Sequence, residues 1–217
     1  MSSLHGVVTA MLILETASQE ACRIGSCRES VSVGIVGAGL VGQEVLRQLR
    51  VLDTERAGGW SAVAVLRSQR MWLQNIQEAS DDFMSMPGEP TNFTKFSDFM
   101  SALPGLRVIM DCTPSEEPAD LYEKWLAAGI NVVTANKKAG SGSLKRYKAI
   151  TEAARLGQSQ FLYEATVGAG LPVLTTLQDM VRSGDDVHVV EGRRVSLLPS
   201  LRACTDRAEQ IQPRVAE

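Results

Sequence analysis

Histidine and cysteine are scarce in this chain, two and four respectively in 217 residues. Cys22, Cys27, Cys112 and Cys204 leave a single C-x4-C pair with no histidine near enough to complete a zinc site, the usage of a reduced, intracellular protein. An excess of basic charge is missing too. The 22 Lys and Arg stand against 25 Asp and Glu, a net charge of -3, which removes the electrostatic footprint of a nucleic-acid or anionic-membrane partner. No apolar run is long enough to span a bilayer: the stretch from Val7 to Leu14 is short and is interrupted by Thr9. Residues 1–30 carry Arg23, Arg28 and several serines, but Glu15, Glu20 and Glu29 do not suit an acid-poor transit peptide. They read as a poorly ordered linker or non-native extension. These exclusions leave small-molecule chemistry in the cytoplasm, with a plastid as the alternative. The length suits one large domain or two small ones, whereas an oxidoreductase with separate nucleotide and substrate domains usually needs more chain.

What is present is an alternation of apolar strands and amphipathic helices. Val31–Val36 (VSVGIV) reads as a buried parallel strand, followed at once by a helix with Val41, Val45, Leu46 and Leu49 on one stripe. A charged, glycine-containing loop from Asp53 to Gly59 closes that helix, and Trp60 to Leu66 forms the second strand. Arg67 to Ser97 is polar, Met-rich and weakly patterned, so it reads as irregular with short helices. Ser97 is taken as the N-cap of a helix ending before Pro104; Leu106 to Met110 is a strand, Pro118 to Ala128 a helix with Gly129 past its end, and Ile130 to Thr134 a strand. Leu144, Tyr147, Ile150 and Ala154 mark a helix closed by Gly157, and Phe161 to Tyr163 opens another strand. Continuous apolar strands alternating with helices predict an α/β fold, a doubly wound parallel sheet of the Rossmann type.

Gly37-Ala38-Gly39-Leu40-Val41-Gly42 is G-x-G-x-x-G placed where the first strand meets the first helix. In that setting Gly37 allows the turn, Gly39 lets backbone N–H groups approach a pyrophosphate, and Gly42 lets helix and strand pack closely. No carboxylate stands between Leu66 and Met71, where an acid would hold a ribose 2′-hydroxyl; Arg67, Ser68 and Arg70 stand there instead. NADP is therefore favoured over NAD, and Arg67 is preferred because it follows the strand directly. Asp111-Cys112-Thr113-Pro114 and Asn136-Lys137-Lys138 lie at the carboxyl ends of later strands. Thr113 is a candidate for the nicotinamide side or a helix cap, and at least one of the two lysines is expected to face the crevice. The segment from Glu164 to Pro172 (EATVGAGLP) joins a carboxylate to a loop able to expose carbonyls, which suits a hard monovalent cation or, more plainly, a strained turn between domains.

With these residues in view the chain resembles homoserine dehydrogenase, most closely the dehydrogenase portion of the bifunctional aspartokinase/homoserine dehydrogenases. GIVGAGLVG, DCTPSEEPADLYEKWLAAGINVVTANKKAGSGSLKRY and FLYEATVGAGLPVLTTLQDMVRSGDDVHVVEG carry the likeness, from about Val31 to Gly192. The resemblance implies NADP-preferring interconversion of L-aspartate 4-semialdehyde and L-homoserine, on the route to threonine, isoleucine and methionine, by a homo-oligomer. It implies that Ala38, Leu40 and Val41 belong to the phosphate loop, that Thr113 and Lys137 contact the cofactor, and that Glu164, Val167, Ala169 and Leu171 hold a monovalent cation such as sodium. In that family hydride passes between nicotinamide C4 and the aldehyde carbon, a lysine moves the proton, and an acidic pair holds the substrate amine.

The likeness stops after Gly192. The remaining 25 residues hold five arginines, two prolines and no lysine, without a sustained period, and read as unrelated sequence. The expected organisation is an extension (1–30), an NAD(P)-binding domain (31–163), the incomplete start of an α+β substrate and dimerisation domain (164–192) and a tail (193–217). No catalytic residue is assigned. Two readings follow: an enzyme of the homoserine dehydrogenase type, by descent, lacking the catalytic lysine, or a catalytically incompetent NADP-binding module. Either way Leu174, Leu177, Met180 and Val181, one helix stripe, are expected to lack full partners and an oligomer interface to be incomplete.

Overall fold

The computed structural model describes residues 30–55, 59–74, 85, 87–168 and 171–190. The expectations for residues 1–29, for the break at Gly192 and for the tail lie outside them. Among the described residues β1 (Val31–Val36), β2 (Trp60–Leu66), β3 (Arg70–Leu73), β4 (Glu89–Pro90), β5 (Leu106–Asp111), β6 (Asn131–Thr134) and β7 (Phe161–Leu162) form one sheet in the order β4-β3-β2-β1-β5-β6-β7. The strands β2, β1, β5, β6 and β7 run parallel, and β3 and β4 extend the β2 edge as an antiparallel pair. From β1 the chain moves outward to β2, then returns to β5 on the other side of β1. That reversal opens a crevice at the carboxyl ends of β1 and β5, where ligands of open α/β sheets collect.

Helices cover both faces, as a sheet buried on both sides requires. Period-two alternation points Val31, Val33 and Ile35 of β1 toward α1 (Leu40–Glu55), whose Val45, Leu46 and Leu49 are all buried. The opposite face carries α2 (Phe93–Ala102), α4 (Tyr122–Ala127) and α6 (Leu144–Leu156), packed through Phe96, Met100, Tyr122, Trp125, Leu126 and Ile150. Each large side chain buried here contributes roughly 1.5–3 kcal/mol. Gly34 is what lets α2 lie this close, because a Cβ there would stand 2.9 Å from both Met100 Sδ and Phe96 Cζ. The doubly wound α/β architecture read from the sequence is thus present.

Four local expectations are corrected. The first helix runs on to Glu55, three residues into the stretch read as a loop. Within the weakly patterned segment from Arg67 lie β3 and β4: Arg67 N–H donates to Arg70 O at 2.8 Å to close a tight hairpin, and Met71 and Trp72 turn inward to 1% and 5% exposure. Four residues are too few to display a period, and the turn residues Ser68 and Gln69 lack the glycine that usually announces a hairpin. The helix read as starting at Ser97 starts at Phe93 instead. Asn92, extended at φ -145°, caps it by accepting from Lys95 N–H at 2.9 Å.

The helix read as continuous from Pro118 breaks into α3 (Glu116–Ala119), capped by Ser115, and α4, with Pro118 placed in the first turn where its missing N–H costs nothing. Gly129 follows α4 at φ +73°, as its position predicts. Ser97, displaced from the cap, is 2% exposed in mid-helix, where its hydroxyl donates to Phe93 O and accepts the Trp125 indole N–H, both at 2.7 Å. Removing that hydroxyl strands a buried donor. Ser97→Ala should destabilise the fold by about 1–3 kcal/mol in urea unfolding, and an unchanged midpoint would refute the role given to it.

Candidate functional site

The crevice is built from four strand ends, those of β1, β2, β5 and β6. At the end of β1 the chain turns through Gly37 at φ +92°, a conformation that L side chains rarely adopt, and Gly37 and Ala38 N–H both point to Leu66 O, at 2.8 and 3.4 Å. This ties the glycine loop to the tip of β2. Gly42 has no room for a side chain: a Cβ there would stand 2.3 Å from Gly37 O. At Gly39 the reverse holds, with no protein atom within 4 Å of a Cβ position, so the backbone between turn and helix borders open space. The first-turn N–H groups of α1 have no carbonyl partners in the helix itself and face this loop. Ala38 is buried, Val41 half-buried, and Leu40 stands 90% exposed at the rim.

Arg67 directly follows Leu66, whose carbonyl receives the glycine loop, so its exposed side chain is carried beside that loop. The hairpin sets Arg70 opposite Arg67, since Leu66 and Met71 are paired and the next rung is Arg67 with Arg70. Opposed residues of an antiparallel pair project from the same face. Thr91 Oγ1–H braces the tip by donating to Arg67 O at 2.7 Å. The period-free sequence concealed Arg70's pairing because β3 itself was not legible.

Asp111 closes β5 with its carboxylate fully buried. Its Oδ1 accepts from Thr113 N–H at 2.8 Å and Thr113 Oγ1–H at 2.7 Å, while Oδ2 accepts from Tyr122 O–H at 2.5 Å and Asn136 Nδ2–H at 2.9 Å. Burial pushes this carboxyl above its ordinary value, and the bonds from Tyr122, Asn136 and Thr113 pull back. Thr113 therefore turns its hydroxyl inward, where it also accepts from Ser115 N–H at 3.3 Å, and presents its methyl to the glycine turn: a Cβ on Gly37 would meet Thr113 Cγ2 at 2.5 Å. The neighbouring Cys112 thiol is pushed up to about 12 by burial and by the Asp111 charge, so it is no nucleophile at neutral pH.

At the end of β6, Asn136 is buried and joins the same network, donating to Ser115 O at 2.7 Å and accepting from Lys138 N–H at 3.0 Å. Lys137 and Lys138 are exposed at the start of α5 (Lys138–Ser141), with Lys138 Nζ 3.8 Å from Glu116. The structure thus brings the glycine loop, Arg67, Thr113 and Lys137 to one end of the sheet. Tyr122, to which the sequence reading gave no role, and Asp111 and Asn136, quoted without a role, supply the buried network beneath them.

Glu164 lies past β7, in a turn that leads to α7 (Val173–Arg182). Its buried carboxylate accepts from Leu174 N–H at 2.8 Å, Thr175 N–H at 2.9 Å and Thr175 Oγ1–H at 2.6 Å, so it caps α7, whose own N-cap residue Pro172 offers no side-chain acceptor. Val167 is buried, Leu171 is 62% exposed with its carbonyl accepting from Val173 N–H at 2.9 Å, and Ala169 lies outside the described residues. Among the described residues no group of three His, Cys, Asp or Glu side chains could hold a metal ion. Of the α7 stripe, Met180 and Val181 are exposed and Leu177 is intermediate, but Leu174 is 7% exposed, packed with Val167, which corrects the expectation for that residue.

The family model for the NAD-binding domain of homoserine dehydrogenase matches residues 37–164, from the first glycine of the loop to the α7-capping carboxylate. The chain belongs to the homoserine dehydrogenase family. Residues 37–164 are its NAD-binding domain, so the crevice is that of a nicotinamide cofactor. The chain is 35% identical over 175 residues to the chloroplastic bifunctional aspartokinase/homoserine dehydrogenase 1 of Zea mays, covering 76% of this chain and 19% of that protein. It is 30% identical over 179 residues to the homoserine dehydrogenase of Schizosaccharomyces pombe, covering 78% of this chain and 47% of the relative. The chain therefore spans about a fifth of the bifunctional relatives and about half of the monofunctional one. The crystal structure of homoserine dehydrogenase from Thermoplasma acidophilum shares the fold at a TM-score of 0.57 and 22% identity, over 71% of this chain and 49% of that one. An archaeal homoserine dehydrogenase solved with NADPH aligns at a TM-score of 0.53 and 21% identity, over 68% and 48%. No helix among the described residues is long and apolar enough to cross a membrane.

The Glu164 cap leads to a direct test. Glu164→Ala removes the acceptor of three donors at the start of α7 and should raise amide exchange over Val173–Leu177 about tenfold or more. Unchanged exchange there would show that α7 does not depend on this carboxylate.

Proposed function

We propose that this chain binds NADP(H) and serves the family reaction, interconversion of L-homoserine and L-aspartate 4-semialdehyde, as its cofactor-binding part. The observation that carries the reading is the glycine loop pinned to Leu66 O with open space before Gly39, next to a β2 tip whose two opposed side chains are arginines. In this reading Gly37, Ala38, Gly39, Leu40, Val41 and Gly42 receive the pyrophosphate on backbone N–H groups and the α1 N-terminus. Arg67, with Arg70 beside it, takes the 2′-phosphate, which an acid in that place would repel. The inward turn of the Thr113 hydroxyl assigns it a different part from direct bonding: its backbone and methyl shape the wall, and the exposed Lys137 brings an ammonium to the nicotinamide side. The bound nicotinamide supplies or accepts the hydride.

Residues 31–163 serve as the cofactor domain and residues 164–192 begin the substrate and dimerisation part, a division supported by the family match ending at Glu164. Glu164, Val167, Ala169 and Leu171 would hold a monovalent cation with oxygen-only ligation, such as sodium. The Glu164 carboxylate, committed to α7, keeps a lone pair on Oε1 for that purpose.

One observation favours a second reading, an NADP-binding module without turnover. Asp111 is buried in its network, Glu116 is paired with Arg146 and Lys138, and Glu164 caps α7, so each is occupied rather than poised as an acidic pair for a substrate amine. Following NADPH oxidation with aspartate semialdehyde separates the two: turnover at an ordinary enzymatic rate supports the enzyme, and NADPH binding without turnover supports the module.

The cofactor assignment has its own tests. Arg67→Asp should weaken NADPH binding about tenfold or more and move preference toward NADH, and an unaltered preference would remove Arg67 from the site. Gly39→Ala should leave the thermal midpoint near wild type while abolishing NADPH binding, whereas Gly42→Ala should lower the midpoint itself, because its Cβ meets Gly37 O. Undiminished NADPH binding by Gly39→Ala would contradict the placement of the phosphate.

A further inference from the structure

The side-chain bonds of Asp111 reach past the β5–β6 backbone pairing, which ends at Asp111 and Thr134, into the turns beyond both strands and into α4. Through Thr113 the carboxylate fixes the turn after β5, through Asn136 it fixes the turn after β6, and through Tyr122 it is tied to α4. Thr134 Oγ1 lies 2.8 Å from Tyr122 Oη and 3.2 Å from Asp111 O, and its one proton serves either acceptor, so Thr134 adds a further bond to the cluster at the strand end. Asn136 passes the constraint on by capping Lys138 N–H, which fixes the backbone on either side of Lys137. The glycine loop is held differently. Gly37 and Ala38 hang on Leu66 O, a bond set in which Asp111 takes no part.

We propose that Asp111 is a positioning residue for the nicotinamide half of the dinucleotide, its buried carboxylate setting the relative placement of the Thr113 and Lys137 turns while the adenosine half is held independently by the β1 and β2 ends. This rests on the reading that the crevice binds NADPH. Both oxygens of the carboxylate face two donors each, so an amide in its place must turn its NH2 toward donors whichever way it lies. One of the two turns is then released. A crevice wall released in this way no longer presents its contacts in the placement the bound dinucleotide needs.

The experiment is titration of the full 217-residue chain, wild type and Asp111→Asn, with two probes: NADPH, which spans both halves, and adenosine 2′,5′-bisphosphate, which reaches only the β1 and β2 side. The expected result is a fall of about tenfold or more in NADPH affinity with adenosine 2′,5′-bisphosphate affinity kept within about threefold. A general loss of packing would lower both together, and a parallel fall, or no fall, overturns the proposal. Where Asp111→Asn shows no cooperative unfolding, Tyr122→Phe removes one donor of the four and should give the same selective loss at smaller size; equal losses for the two probes would again overturn it. Failure of the wild-type chain to bind either probe would instead sink the NADPH reading on which the proposal stands.

Discussion

A carboxylate with no access to water sits at the end of the interior strand β5, and the walls of the crevice depend on how it is satisfied. An isolated buried charge would cost many kcal/mol, and the four donors that converge on Asp111 offset that cost. Those donors come from the β5 turn, the β6 turn and α4, so one carboxylate links three segments. The same bonds turn the Thr113 methyl toward Gly37, which sets the distance between the β5 turn and the glycine loop. A polar network so fully satisfied specifies one arrangement of the strand ends.

Close approach is the second constraint, and it is met by deletion of side chains rather than by addition. Gly42 lets α1 start directly against the turn at Gly37, and Gly34 lets α2 press Phe96 and Met100 onto β1. With α1 on one face and α2, α4 and α6 on the other, β1 is buried throughout, and its carboxyl end becomes the point at which the sheet order reverses. Site and core thus share the same strand.

How much of this was legible depended on the range of the forces involved. Strands β1, β2, β5 and β6 and helices α1 and α6 announce themselves through apolar runs, stripes and terminal glycines, which are local signals. The G-x-G-x-x-G segment was legible for the same reason. Strands β3 and β4 were not, because Met71 and Trp72 are held by pairing with β2 and not by a pattern of their own. Ser97 looked like a cap, since serine before an acid marks helix starts, yet Asn92 had already begun the helix and Ser97 was needed for the Trp125 N–H. The Asp111 network spans up to 25 positions in the chain, and Glu164 reaches ten residues ahead to α7; neither spacing has a local signature.

The central claim is that the α1 N-terminus and the Asp111-held turns receive a dinucleotide together. Amide hydrogen exchange of the chain with and without saturating NADPH tests it most directly. The account predicts added protection confined to Gly37–Gln43, to the Arg67–Arg70 tip and to the turns at Thr113 and Lys137, with α2 and α7 unchanged. Protection absent from the glycine loop, or appearing there without any at Thr113 and Lys137, would contradict it.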